Sequence, residues 1–325
     1  MTIVTGFLGA GKTSLVNHLL TAPHGLRIAV LVNDFGAINI DAGLIAKRDG
    51  EVVSLENGCI CCSLADGLLA ATVRMLRLPV SPDRIVIETS GVSDPAEVAR
   101  TFADPDLQPY APLDGIVTVV DAEYGPSLEG AQAALARQQL GASDIVLLNK
   151  VDLVDEPGLK AARDWIHANA PHARILETIR AAAPVSLLMD IGANPHVSSL
   201  AIADHIGRAS DSHPHGAPPF DTTVVELDEP LSYARLRAAL QNLPRTVFRA
   251  KGIVYVAEKP GHQLILQATG RRAELAVGDR WDGAAPRTQL VFIGSRGGVD
   301  QQRLATLFGG QVSREQERSR THLHA

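Results

Sequence analysis

Cysteine is scarce in this chain of 325 residues: there are three, all between Cys59 and Cys62. An odd number of thiols crowded into four positions cannot staple a fold, so a disulfide framework is excluded. Lysine is nearly as sparse, 6 residues against 24 arginines, so each one invites a reason. Positive charge is not in excess either. A formal charge of -6 and a pI near 6.0 leave no global cationic field for nucleic acid or an anionic membrane surface. No apolar run approaches the ~18 residues of a membrane-spanning helix. The opening MTIVTGFLGAGK has neither the charged n-region nor the cleavage site of a signal peptide. The expected location is the cytoplasm. What is present, 46% hydrophobic and 20% charged residues, suits a soluble globular chain. Its length favours two domains, one of them large.

The first 150 residues repeat one pattern, a short aliphatic run ending in Gly, Asp, Asn or Thr, then a longer segment of helical period. That is the signature of βα units and a parallel sheet. Strands are expected at Thr2 to Thr5, Arg27 to Val32, Val52 to Leu55, Arg84 to Thr89, Gly115 to Val120, Asp144 to Leu148 and Arg174 to Thr178. Helices are expected at Lys12 to Leu20, Ser63 to Leu76, Pro95 to Phe102, Gly130 to Leu140 and Pro157 to Ala168. The stretch HIGRASDSHPHGAPP over 205–219 reads as a linker. Beyond it come a strand at Phe220 to Leu227, a helix at Leu231 to Leu240, a hairpin of Ile253 to Ala257 with Leu264 to Ala268, a strand at Thr288 to Ile293 and a helix at Asp300 to Phe308. The predicted organisation is an α/β domain over 1–204, the linker, a smaller α+β domain over 220–311 and a frayed polar tail over 312–325.

Gly6-Phe7-Leu8-Gly9-Ala10-Gly11-Lys12-Thr13-Ser14 contains G-x-x-x-x-G-K-[ST] after an apolar strand and before a helix. Composition alone gives about 0.004 accidental matches in a chain of this make-up. The glycines let backbone N-H groups wrap phosphate oxygens, and the helix N-terminus points its dipole at them. Lys12 bridges the outer phosphates, and the Thr13 hydroxyl ligates Mg²⁺. This is a P-loop.

Some 140 residues on, the strand from Asp144 runs into Asn149-Lys150-Val151-Asp152, an N-K-x-D sequence. A carboxylate at Asp152 accepts from the N1-H and the amino group of guanine, a donor pair adenine lacks. Asn149 meets the other edge of the base and the Lys150 stem lies over a ring face. Two of the six lysines thus fall in nucleotide motifs, where a compact ammonium suits the task better than a guanidinium. Glu88, at a strand end, stands where a Mg²⁺-associated carboxylate belongs, with Gly91 free to approach the γ-phosphate. Asp121 ends another strand and reads as a cap or turn residue in preference to a second such carboxylate. Asp34 reads equally as a group orienting Mg²⁺ or the attacking water and as an Asx turn.

Glu56-Asn57-Gly58-Cys59-Ile60-Cys61-Cys62 follows a strand and precedes a helical segment. Thiols beside a helix N-terminus have lowered pKa values and suit Zn²⁺ or another metal with soft ligands. Three ligands favour an open, exchangeable site over a closed structural one.

Together GFLGAGKTSL, VNDFGAINID, ENGCICC, ETSGVSDP and NKVD resemble the CobW-type GTPases, relatives of the urease and hydrogenase nickel-insertion GTPases. The segment from DTTVVELDEPL through RTQLVFIG resembles that family's smaller C-terminal domain. The resemblance implies a GTP-hydrolysing metal chaperone with catalytic Lys12, Asp34 and Glu88, with zinc or cobalt on Cys59, Cys61 and Cys62 and Mg²⁺ at Thr13 and Glu88. It places guanine on Asn149 and Asp152 and implies a client metalloprotein as partner; a homodimer is compatible with it. The chain departs from the usual pattern at Asp34 and Ala37, where many members carry glutamate. Of the histidines in the linker and tail (His205, His213, His215, His322 and His324), the reading prefers solvated loop to metal capture. Rival functions are a nucleotide-switched interaction protein with a structural metal site and, more distantly, an ATP-dependent phosphotransferase, against which N-K-V-D argues.

Overall fold

The computed structural model describes residues 1–32, 52–54, 64–103, 105, 107–189, 220–270 and 272–309. Asp34, the cysteines Cys59, Cys61 and Cys62, and the histidines of the linker and tail lie outside the described residues. The chain divides into two compact units, Met1–Ile191 and Gly192–Ala325.

Among the described residues of the first unit, seven strands are interspersed with helices: β1 (Thr2–Thr5), α1 (Lys12–Thr21), β2 (Ile28–Val32), β3 (Val52–Ser54), α2 (Leu64–Leu76), β4 (Arg84–Glu88), α3 (Pro95–Thr101), β5 (Gly115–Asp121), α4 (Gly130–Gly141), β6 (Ile145–Asn149), α5 (Glu156–Asn169), β7 (Arg174–Thr178) and the short α6 (Val185–Leu188). The strands pair in parallel in the order β3-β2-β4-β1-β5-β6-β7. A parallel sheet is covered on both faces, which is why β1, β2 and β6 are buried throughout and β2 is aliphatic from end to end. Leu68 and Met75 of α2, Val98 of α3 and Phe102 just beyond it pack on Ile3, Leu31 and Ile87. Leu140, Ala162 and Ile166 pack on Val120, Val146 and Leu148.

The chain enters the sheet at its middle. From β1 it grows to one side through β2 and to the other through β5, so the crevice at the C-terminal ends of β1, β4 and β5 is the place where such a sheet binds ligands. Register pairs Glu88 with Val4 and Thr118 with Thr5, and sets Asp121, Asn149 and Thr178 side by side at the C-terminal ends of three neighbouring strands.

The second unit is an antiparallel sheet in the order β11-β10-β9-β12-β8, formed by β8 (Phe220–Leu227), β9 (Val247–Val254), β10 (His262–Thr269), β11 (Arg272–Arg280) and β12 (Thr288–Ser295). Two helices, α7 (Tyr233–Gln241) and α8 (Gln301–Phe308), lay Leu236, Ala239, Leu304 and Phe308 on Leu266, Leu290 and Phe292. The α/β fold with an additional α+β unit matches the sequence expectation. Three details differ. Leu231 is not helical but bridges Val256, and Ser232 starts α7 as an N-cap accepting from Arg235 N-H at 3.2 Å. β9 begins at Val247 and stops at Val254, short of the expected Ala257. β11 was not expected at all, because an edge strand exposed over most of its length lacks the buried alternation by which strands are read.

At the N-terminal ends of the strands, Arg27 and Asp83 tie β2 to β4. The guanidinium donates from Nη2 at 2.7 Å and Nε at 3.0 Å, and Arg27 N-H adds a third bond at 2.9 Å. These bonds hold the Asp83 carboxyl at about 2, below its ordinary 3.8. A depressed carboxyl contributes stability above its unfolded pKa and loses it as pH falls through the folded value. Arg27→Gln should therefore lower the unfolding midpoint slightly at neutral pH, with the difference from wild type closing between pH 4 and pH 2 in a denaturation series.

Candidate functional site

The chain leaves β1 through Gly6, whose φ of 137° is open to glycine alone and whose missing side chain lets the loop pass against the Val119 carbonyl. Gly11 closes the loop at φ 112° and is the N-cap of α1. A Cβ there would lie 2.5 Å from Asn149 Nδ2, so this glycine makes room for a side chain 138 positions away. With no side chain at the cap, the N-H groups of the first turn face outward as an anion site. Phe7, Leu8, Gly9 and Ala10 form the intervening turn, in which Ala10 N-H donates to Phe7 O at 3.3 Å. Lys12 is folded back and buried, and its Nζ also donates to Phe7 O at 3.3 Å. Ser14 is exposed.

Beyond Lys12, the Thr13 hydroxyl donates to Glu88 Oε1 at 2.7 Å. Glu88 is 2% exposed, so a hydroxyl and a buried carboxylate stand together at the mouth of the loop. Hard oxygen donors in this arrangement fit Mg²⁺. Among the described residues no group of three or more His, Cys, Asp or Glu could hold a softer metal.

After β4, Thr89 Oγ1 donates to Thr5 Oγ1 at 2.9 Å, and Gly91 lies against Leu8. Gln139 of α4, fully buried, donates from one nitrogen to Gly91 O at 3.1 Å and Ser93 O at 3.2 Å. Its neighbour Gln138 donates to Asp94 at 2.6 Å, while the other oxygen of Asp94 caps α3. Sequence reasoning missed both glutamines, since a lone amide on a helix carries no signal until the loop it grips is placed beside it.

At the N-K-V-D end, Lys150 adopts φ 62° and its Nζ pairs with Asp121 Oδ2 at 2.7 Å. Asp121 Oδ1 accepts from the N-H groups of Glu123 and Tyr124, the cap role expected of it. Asp152 is exposed in a 3-10 turn over Val151–Leu153. Asn149 makes bonds that its motif does not announce. Its Nδ2 donates to Ala10 O at 2.9 Å, and its Oδ1 accepts from Ala181 N-H at 2.7 Å and Thr178 Oγ1 at 3.3 Å. With 2% exposure, the side chain fastens the phosphate loop to the loop after β7. In that loop Arg180 and Ala181 have φ of 54° and 55°, a strain of about 1–2 kcal/mol per residue outside glycine.

Residues 1–177 match the family described as CobW/HypB/UreG, nucleotide-binding domain, and residues 220–311 the cobalamin synthesis protein cobW C-terminal domain. The chain belongs to the CobW/HypB/UreG family. Among its CobW relatives, the zinc chaperone CobW of Sinorhizobium sp is 31% identical over 90% of this chain and 92% of its own length. The zinc chaperone YjiA of Escherichia coli K12 is also 31% identical, over 95% and 98%. The crystal structure of Zn(II)-bound YjiA GTPase from E. coli aligns over 96% of this chain and 98% of that one, at 24% identity and a TM-score of 0.45.

Asn149→Ala should orphan the Ala10 carbonyl and the Ala181 N-H at once. A loss of about 2–4 kcal/mol in urea unfolding is expected. Asn149→Asp should be no better, because a carboxylate oxygen would face the Ala10 carbonyl without a proton to offer.

Proposed function

We propose that the protein is a GTP-binding and GTP-hydrolysing metallochaperone that holds zinc or cobalt at Cys59, Cys61 and Cys62 and passes it to a client metalloprotein. The observation that carries the nucleotide half is the 2.7 Å bond from Thr13 to the buried Glu88, set at the end of a phosphate loop. The metal half rests on kinship with chains named zinc chaperones and on the C-x-C-C sequence.

In this reading the N-H groups of 9–14 and Lys12 bind the β- and γ-phosphates, while Thr13 and Glu88 hold Mg²⁺. The ion, when bound, neutralises charge building on the phosphate oxygens. Gly91 sits close enough to the phosphate loop to meet the γ-phosphate, and Asp34 orients the attacking water. Asp152, exposed at the loop end, reads guanine, with Lys150 packed along the ring. The γ-phosphate bond breaks, water supplies the new oxygen, and GDP and phosphate leave. No arginine supplied from the same chain is recognisable in sequence, so turnover in isolation should be slow, on the order of 10⁻⁴ to 10⁻³ s⁻¹. Work is done in the cytoplasm, with neither nucleic acid nor membrane as partner, and the 220–311 unit serves as a partner surface.

Coupling between the two halves is testable by titrating metal-free protein with Zn²⁺ and Co²⁺, with and without Mg²⁺-GTP. Metal affinity should differ by about 5- to 150-fold between the two conditions. Cys61→Ala should weaken it in both. Affinity indifferent to nucleotide would leave a GTPase with an unrelated metal site.

A further inference from the structure

The loop after β7 holds a conformation its own sequence disfavours. Arg180 and Ala181 are consecutive non-glycine residues in the left-handed region. Two bonds inside the loop, Ala182 N-H to Ile179 O at 3.1 Å and Ala183 N-H to Ala181 O at 3.0 Å, tighten it. Backbone of this kind persists only where the surroundings over-determine it, and it gathers at functional sites. Ala181 and Ala183 are buried, which fixes the loop by packing. Two side chains from elsewhere grip its backbone. Asn149 accepts from Ala181 N-H at 2.7 Å, and His18 Nε2 lies 2.8 Å from Ala183 O. A carbonyl only accepts, so Nε2 carries the proton and donates, whether the ring is neutral or charged.

His18 stands on α1 about two turns beyond Lys12. One helix therefore starts at the phosphate loop and ends its grip on the loop beside N-K-V-D, since Asn149 and Thr178 are register partners in adjacent parallel strands. Asn149 ties the same two loops through Ala10 O. Two independent fasteners thus set the span between the phosphate-binding and base-binding ends of the site.

We propose that His18 is a positioning residue for nucleobase recognition: its bond to Ala183 O fixes the 179–183 loop as a wall of the base pocket, so affinity for the base depends on it and affinity for phosphate does not. The ligand class is a purine nucleoside di- or triphosphate. The proposal rests on the guanine reading above, and the test separates the two.

The imidazole Nε2 and the carboxamide nitrogen of glutamine lie the same number of bonds from Cα. His18→Gln therefore keeps a donor near its place, whereas His18→Leu keeps bulk and loses the donor. The full chain would be titrated calorimetrically with Mg²⁺-GDP and with Mg²⁺-tripolyphosphate, which has no base. The expected result is that His18→Leu weakens GDP about tenfold, holds tripolyphosphate within about twofold of wild type, and that His18→Gln recovers most of the loss. Equal weakening of both probes would mean that α1 itself is damaged and would overturn the proposal. So would unchanged GDP binding, a fall in thermal stability alone, or a glutamine variant no better than leucine. Asp152→Asn, titrated with GDP and xanthosine diphosphate, tests the guanine reading separately. If it does not shift preference toward xanthosine, that reading falls, while the contrast between GDP and tripolyphosphate still decides the part played by His18.

Discussion

One buried amide holds the nucleotide end of this molecule together. Asn149 reaches Ala10 with its nitrogen and Ala181 and Thr178 with its oxygen, so segments around residues 10, 149 and 180 become one body. The net stabilisation from such bonds is modest, because water satisfied the same groups in the unfolded chain. The penalty for removing the amide is larger, since its partners would stay buried and unsatisfied. Its effect is thus mainly geometric. Gly11 exists in the form it does because any Cβ there would collide with this amide. The loop's last glycine answers to a tertiary contact as well as to its own φ.

Around that amide the carboxylates divide their labour by burial. Glu88 is buried and takes the Thr13 hydroxyl; Asp121 is nearly buried and takes two backbone N-H groups and the Lys150 ammonium. A buried carboxylate has to be satisfied in this way, because desolvating it otherwise costs several kcal/mol. Asp152 is exposed and meets no such demand. Exposure leaves its oxygens available for a donor pair brought by a ligand, whereas Asp121 is committed to shaping the site.

Much of this was legible in the sequence, for a physical reason. Strands buried on both faces read as aliphatic runs, and their polar ends mark the rim where ligands bind, so Glu88, Asp121 and Asn149 stand out before their neighbours are known. What could not be read were pairings between separate elements. Gln139 gripping Gly91 and His18 gripping Ala183 have no period and no motif, since each is an ordinary helix residue until the sheet brings a loop across it. Asn149 shows the limit most clearly: its position was legible, but its partners were not, because a backbone carbonyl and N-H leave no trace in a side-chain pattern. The edge strand β11 escaped for the opposite reason, having too little burial to impose an alternation.

The scarcity of lysine acquires a structural meaning at Lys12. Its ammonium is drawn back into the loop, against the carbonyl of Phe7, in a bond of 3.3 Å to a neutral acceptor. A phosphate oxygen competing for the same donor offers a charged acceptor and a shorter, stronger bond. In the proposed reading, taking up phosphate trades this neutral acceptor for a charged one, and the Phe7 carbonyl lies in a loop that is not fully buried. A guanidinium could not make the same trade. Its planar fork has five donors to satisfy in fixed directions, whereas an ammonium is a single rotatable point charge. The bias toward arginine elsewhere in the chain then sets off, by contrast, the positions in the nucleotide motifs where a compact, rotatable charge is kept.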